Sequence, residues 1–383
     1  MRLSGKAPTG LAQYMSRPQI SSTKEMNMVP EFIDTWQMPE PGKLIKTRIP
    51  MPALQAGDVV VKISGCGVCH TDLSYFYMGV PTVQKPPLSL GHEISGVAIG
   101  GEASMIGKEV IIPAVIPCGE CELCTSGRGN RCLAQKMPGN SMGIYGGFSS
   151  HIVVQAKFLC VVGERKSIPL EHLSVIADAV TTPYQAAVRA KIGSGDLVVV
   201  VGAAGGVGSF MVQVAKGMGA KLVIGIDVNA EKLQKMEGFG ADATINPRGL
   251  GTKELKEKFK TIAKAAGVST STGWKIFECT GTKAGQETAL SLLSFVGMLV
   301  VVGYGTDETS YMLSKLMAFD AEIIGTWGCT PDKYPAVLEM CLDGRIQLEP
   351  FVETRPMSQI EQVFDEAHHG KLQRRVILTP DFN

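Results

Sequence analysis

Charge hardly tips to either side in this 383-residue chain: 37 lysines and arginines against 36 acidic residues leave a net charge of +1. With no basic stripe to follow a phosphate backbone, a nucleic-acid partner is not expected. Internal repeats and low-complexity tracts are missing too. So is a cationic segment leading into an apolar one at the start, and the ten cysteines therefore read as thiols of a reducing cytoplasm rather than as a disulfide frame. Residues 288–306 carry no charge and approach the length of a membrane span. Gly297 divides that run into a helical part, 289–295, and a strand-like part, 298–302, which suits a parallel sheet better than a bilayer. No membrane partner is expected.

What is present fits a folded protein of two domains. The chain is 45% hydrophobic and 19% charged, and it is too long for one ordinary core. Residues 1–30, rich in Ser, Met, Gln and Pro, read as an extension without a motif. Residues 31–179 read as a mostly β domain, with strands at 59–63 and 109–112 punctuated by glycine and proline. Residues 180–323 alternate strand and helix. Strands are expected at 197–201, 221–227, 275–278 and 298–302 and helices at 209–218 and 253–266, the pattern of a Rossmann-type, doubly wound parallel sheet in an α/β chain. Residues 324–383 end in a strand at 375–378 that is expected to return to the first domain.

Two groups of metal ligands stand out. Cys118, Cys121, Cys124 and Cys132 follow C-x2-C-x2-C-x7-C, and four thiolates saturate tetrahedral zinc, so this site is expected to be closed. Cys69, in Gly-Val-Cys-His-Thr-Asp at 67–72, and His92, in Gly-His-Glu at 91–93, are ligands of a different kind. A mixed donor set leaves a position free for Lewis-acid chemistry.

The strand at 197–201 runs into Gly202-Ala203-Ala204-Gly205-Gly206-Val207-Gly208. A glycine-rich turn from strand into helix lets backbone amides approach a pyrophosphate. Nineteen residues beyond Gly208 stands Asp227, placed to accept hydrogen bonds from the adenosine ribose and to repel a 2′-phosphate. Lys232 is the nearest cation after it. NAD is therefore the expected cofactor, rather than NADP.

Taken together, these motifs resemble the zinc-dependent medium-chain alcohol dehydrogenases over about residues 36–378. The resemblance implies a GroES-like catalytic domain, two zinc ions per chain, and a third ligand for the open zinc from the segment leading into the cofactor domain. In this chain that ligand is Asp178, where many members have cysteine. By the same resemblance, Glu93 approaches the metal or orients its surroundings, Thr71 takes the alcohol proton, and Thr182 lies beside the nicotinamide. His70 and Arg375 contact the pyrophosphate. Ser74 occupies the place where members often end a proton relay with histidine, so the last proton step must use water, the cofactor ribose or another group.

Residues 115–121, 134–140 and 177–185 further resemble a branch of the family that oxidises a ring hydroxyl of a CoA thioester with NAD. A CoA thioester is accordingly the expected substrate, although no marked cationic cluster awaits its phosphates. A general dehydrogenase of primary or secondary alcohols stays open as an alternative. A catalytically silent zinc-binding relative or a zinc-free reductase would not need the usable ligand set. Cys66, Cys160, Cys279, Cys329 and Cys341 read as packing residues, and His172, His368 and His369 as surface residues. Relatives form dimers and tetramers, so a homo-oligomer is expected, with the strand at 298–302 as a candidate edge.

Overall fold

The computed structural model describes residues 29–382, so nearly all of the extension expected at 1–30 lies outside the described residues. The described chain opens with an antiparallel hairpin, β1 (Phe32–Glu40) and β2 (Lys43–Pro50). There follow β3 (Asp58–Gly67), α1 (His70–Tyr77), β4 (Glu93–Gly101), β5 (Glu109–Ile112), α2 (Glu122–Thr125), β6 (His151–Gln155), β7 (Cys160–Val162) and α3 (Thr181–Arg189). The next stretch alternates strictly: β8 (Leu197–Val201), α4 (Gly208–Gly217), β9 (Leu222–Ile226), α5 (Ala230–Lys235), β10 (Ala243–Ile245), α6 (Thr252–Ala265), β11 (Trp274–Glu278), α7 (Lys283–Leu292), β12 (Met298–Val301), α8 (Leu313–Phe319) and β13 (Glu322–Gly325). The chain closes with α9 (Tyr334–Leu342), β14 (Val352–Pro356), α10 (Ile360–His368) and β15 (Arg375–Thr379).

β3 is the hub of a seven-stranded sheet. Its first half pairs with β6, most of its length with β4, and its last two residues with β15, all antiparallel. β15 thus brings the C-terminal segment back beside Gly67, two residues before Cys69, as the sequence suggested. Apolar side chains of β3 and β4 (Val59, Val61, Ile63, Ile94) join Phe148, Phe364 and Val376 in one buried cluster, and that cluster fixes the platform from which α1 departs.

The second sheet has six strands in the order β10-β9-β8-β11-β12-β13, and every pairing is parallel. β8 reads Leu-Val-Val-Val-Val because helices cover both faces, so no position on it faces water. α6 buries Leu255, Phe259 and Ala263 at four-residue spacing and lays that stripe against the sheet. The fold is therefore a mixed α/β architecture with a GroES-like sheet and a Rossmann-like parallel sheet.

Three expectations need correction. β12 is not an edge: β11 flanks it on one side and β13 on the other. A uniformly apolar strand marks the interior of a parallel sheet, and the edge belongs to the short β13. The helix expected over 289–295 ends at Leu292, and Val296 turns the chain with φ 53°. His172 also differs from expectation. It is half-buried, and its Nδ1 is sealed from solvent without a hydrogen-bond partner.

Candidate metal centres and cofactor crevice

The four-cysteine lobe forms where the local sequence bends sharply around the thiols. Gly119 takes φ +91° and Gly127 φ +77°, and Cys121 caps the short α2. The sulfurs of Cys118, Cys121, Cys124 and Cys132 lie 3.5–3.8 Å apart in four of their pairings. Sulfurs about 2.3 Å from a shared tetrahedral zinc would lie about 3.8 Å apart, whereas a disulfide needs about 2 Å. The donor set and its spacing fit zinc.

The second cluster joins three segments. Cys69 caps α1, and its N–H donates to Asp72 Oδ2 at 3.0 Å. His92 ends the loop into β4 and is fully buried. Asp178 sits at the turn before α3, where its Oδ1 accepts the Thr182 hydroxyl at 2.6 Å. Ligand atoms of Cys69, His92, Glu93 and Asp178 all lie within 4.8 Å of one another. Asp178 Oδ2 is 3.8 Å from the Cys69 sulfur and 3.5 Å from His92 Nε2.

Both ring nitrogens of His92 are buried without a hydrogen-bond partner, which is costly unless something else engages them. Burial acts against a charged imidazole, yet Asp72, Asp178 and Cys69 around it raise its pKa well above the ordinary value. Burial likewise pushes the Asp178 carboxyl up, but the hydrogen bond and charge of His92 and the Thr182 hydroxyl prevail and bring it down to about 2. The pocket favours positive charge at its centre. An N/O/S donor set with orphaned imidazole nitrogens fits a zinc ion held by Cys69, His92 and Asp178.

Glu93, fully buried, accepts from Arg375 Nε at 2.8 Å and from a second guanidinium nitrogen. Arg375 Nη1 lies 2.9 Å from where a Cβ on Gly206 would stand. The same arginine thus touches the metal cluster and the glycine loop. That loop needs its glycines for specific reasons. Gly202 adopts φ +86°, and a Cβ on Gly208 would lie 1.9 Å from the Gly202 carbonyl oxygen. Ala204 N–H donates to Asp227 Oδ2 at 3.0 Å and Asn229 N–H to Oδ1 at 2.9 Å, so the carboxylate is fixed beside the loop.

Of the remaining expected residues, Thr71 lies with its hydroxyl 3.6 Å from the Cys69 sulfur. Ser74 is buried and donates its hydroxyl to the Thr71 carbonyl at 2.8 Å. His70 opens α1 with part of its surface open to solvent, yet atoms packed around the ring desolvate it, and this, then the charges of Arg375 and His368, lowers its pKa. Lys232 departs from the others, since its ammonium donates to the Leu372 carbonyl at 2.9 Å.

The sequence reading passed over Asp72. This carboxylate, fully buried, serves the Cys69 amide, accepts Gly91 N–H at 3.0 Å, and approaches His92 Nδ1 at 3.4 Å. Its signal was the capping-box spacing from Cys69.

Comparisons with known proteins agree with this architecture. Residues 55–164 match the alcohol dehydrogenase GroES-like domain and residues 206–343 the zinc-binding dehydrogenase family. An alcohol dehydrogenase of Geobacillus stearothermophilus is 30% identical over 336 residues, covering 86% of this chain and 94% of its own. An S-(hydroxymethyl)glutathione dehydrogenase of Escherichia coli O1:K1 / APEC is 31% identical, covering 88% and 97%. A short chain alcohol dehydrogenase of Escherichia coli CFT073, solved with NADH, superposes with a TM-score of 0.78 at 25% identity and covers 91% of this chain and all of its own.

Proposed function

The chain belongs to the zinc-binding medium-chain alcohol dehydrogenase family, and from that premise we propose that it oxidises 6-hydroxycyclohex-1-ene-1-carbonyl-CoA to the 6-oxo product with NAD, in anaerobic benzoyl-CoA degradation. The dehydrogenase chemistry rests on one observation above all: Arg375 bridges the Cys69–His92–Asp178 cluster and the glycine loop. The substrate rests on the resemblance at residues 115–121, 134–140 and 177–185. The test is NAD reduction with the cyclic hydroxy-enoyl-CoA against a panel of simple primary and secondary alcohols. Turnover at least a hundredfold more efficient with the thioester supports the reading; equal or better turnover of simple alcohols transfers it to a general alcohol dehydrogenase, the reading that the Geobacillus relative favours.

Zinc held by this donor set would supply Lewis-acid polarisation of a substrate oxygen, and NAD in the glycine-loop crevice would supply the hydride acceptor. The chain's own residues hold, orient and move protons. Cys69, His92 and Asp178 would hold the metal, with Asp72 behind the His92 ring at 3.4 Å from Nδ1. Thr71 Oγ1 takes the substrate hydroxyl proton while passing its own hydroxyl proton onward. Ser74, committed to the Thr71 carbonyl, steadies the turn that aims Thr71 and leaves the last transfer to water or the cofactor ribose. Thr182 borders the nicotinamide. His70 and Arg375 face the pyrophosphate, and the amides of Gly205, Gly206 and Val207 line its path. Asp227 keeps free lone pairs for the ribose hydroxyls, and Lys232 closes the adenosine end by tying α5 to the segment before Arg375.

The proposal extends to assembly and compartment. Among the described residues β13 pairs on one side only, at the sheet edge, beside exposed Met312, Leu313, Met317 and Ile323. Such an edge is suited to a second copy of the chain, giving a dimer or a pair of dimers. All ten cysteines are free, which suits a reducing cytoplasm, and among the described residues no helix is long and apolar enough to cross a membrane.

A further inference from the structure

The Asp178 turn is held from outside the metal cluster. Tyr334, the first residue of α9, is fully buried. Its hydroxyl donates to the carbonyl oxygen of Ala177 and accepts the N–H of Ala114 at 3.1 Å. Ala177 immediately precedes Asp178, and Ala114 lies four residues before Cys118. A second hydroxyl converges on the same carbonyl: Thr181 Oγ1 donates to Ala177 at 3.0 Å, and Thr181 is also fully buried. On the other side of the turn, Thr182 N–H and Oγ1 donate to the Asp178 carbonyl and Oδ1. The peptide joining Ala177 to Asp178 therefore has its orientation set by two hydroxyls that lie outside the Cys69–His92–Glu93–Asp178 cluster.

We propose that Tyr334, together with Thr181, is a positioning residue for the metal site: it locks the 177–178 peptide so that the Asp178 carboxylate faces Cys69 and His92. The inference deepens the reading of Asp178 as a metal ligand and rests on it. The chain needs such a lock because Asp178 follows the turn at Glu171–Ala177 with φ −141°, ψ −54°, outside the helical region; the Thr182 N–H holds its carbonyl, and the peptide on its other side depends on the two hydroxyls. Without the Tyr334 hydroxyl the peptide can swing, and the carboxylate spends part of its time away from the other two ligands. Partners one bond removed from metal ligands typically change metal affinity by about 10–100-fold when lost. Tyr334→Phe keeps the ring and its packing and removes only the hydroxyl.

The test uses the zinc-loaded, full-length protein and follows metal release to an excess of chelator with a zinc-responsive dye. Two phases are expected, one for each cluster. Tyr334→Phe and Thr181→Val should each accelerate one phase by about tenfold and leave the other unchanged. Val337→Ala, a cavity variant in the buried face of the same helix, controls for loss of stability and should leave both phases as they are. Cobalt-substituted Tyr334→Phe should also show an altered visible absorption band, which a purely structural loss would not produce. Release from Tyr334→Phe no faster than from Val337→Ala would overturn the proposal. Asp178→Asn is the reference for the underlying reading: if it releases both metals at the parent rate, Asp178 is no ligand, and the inference falls with that reading rather than on its own account.

Discussion

Arg375 and Glu93 form a buried ion pair, Nε to Oε2 at 2.8 Å, across 282 positions of sequence. The arginine leaves the start of β15, and the glutamate follows His92 directly. The pair therefore ties the returning C-terminal strand to the metal cluster while Nη1 rests against Gly206. Removing the cation leaves a buried carboxylate unpaired and takes positive charge from beside the glycine loop, the proposed pyrophosphate site. Arg375→Met is expected to lose about 3–5 kcal/mol of stability and to weaken NADH binding by about tenfold or more, read from denaturant unfolding and fluorescence titration. Unchanged NADH affinity would remove Arg375 from the cofactor site.

Serine at position 74, where many relatives carry a relay histidine, has a consequence for pH dependence. Ser74 is buried and bonded to backbone, and a hydroxyl does not titrate near neutrality. The pH profile of kcat/KM should carry no ionisation from this position. Ser74→His should introduce one near pH 6–7. If rate and profile both stay the same in that variant, the position lies outside the relay.

Stability should fall in mild acid because of His151. Burial, and then the charge of Lys62, lower its pKa to about 4, against about 6.5 in the unfolded chain. Between those values the unfolded chain binds more protons, so folded-state stability is complete above about pH 6.5 and declines as pH falls toward 4. With the ring only half-buried, the loss is discounted to about 2 kcal/mol. His151→Gln should flatten this part of the unfolding profile; an undiminished slope would assign it to other groups.

The open edge at β13 predicts assembly. Ile323→Lys combined with Met317→Glu places charge on the edge strand and on α8, where both residues are exposed. Light scattering should show the parent as a dimer or tetramer and the double variant as a smaller species with unaltered secondary structure. A parent that is already monomeric would refute the proposed interface.

Much of this was legible in the sequence because the relevant constraints are local. Four thiolates within fifteen positions can surround one ion only by closing on themselves, and a glycine turn between an apolar strand and a helix has one common use. Asp178 was different. Nothing around it in sequence marks a ligand, and only the resemblance to a family pointed there. Asp72 carried the capping-box signal but not its second task behind His92. Tyr334 lies 157 positions from Ala177, and a tyrosine at the start of an apolar helix gives no hint of its partner. The misplaced sheet edge has a simple cause as well. Apolar residues 298–302 are what a strand covered on both faces requires, whereas the true edge, Glu-Ile-Ile-Gly, is mostly exposed.

In the proposed mechanism Asp178 completes a catalytic zinc site at the cofactor crevice. Zinc content and NAD reduction measured on the same preparations of the parent and Asp178→Asn test this most directly. The parent should hold two zincs per chain and turn over its alcohol. Asp178→Asn should keep the zinc of the four-cysteine lobe, lose most of the other, and fall in kcat/KM by at least a hundredfold. Two tightly held zincs and undiminished turnover in Asp178→Asn would contradict the account.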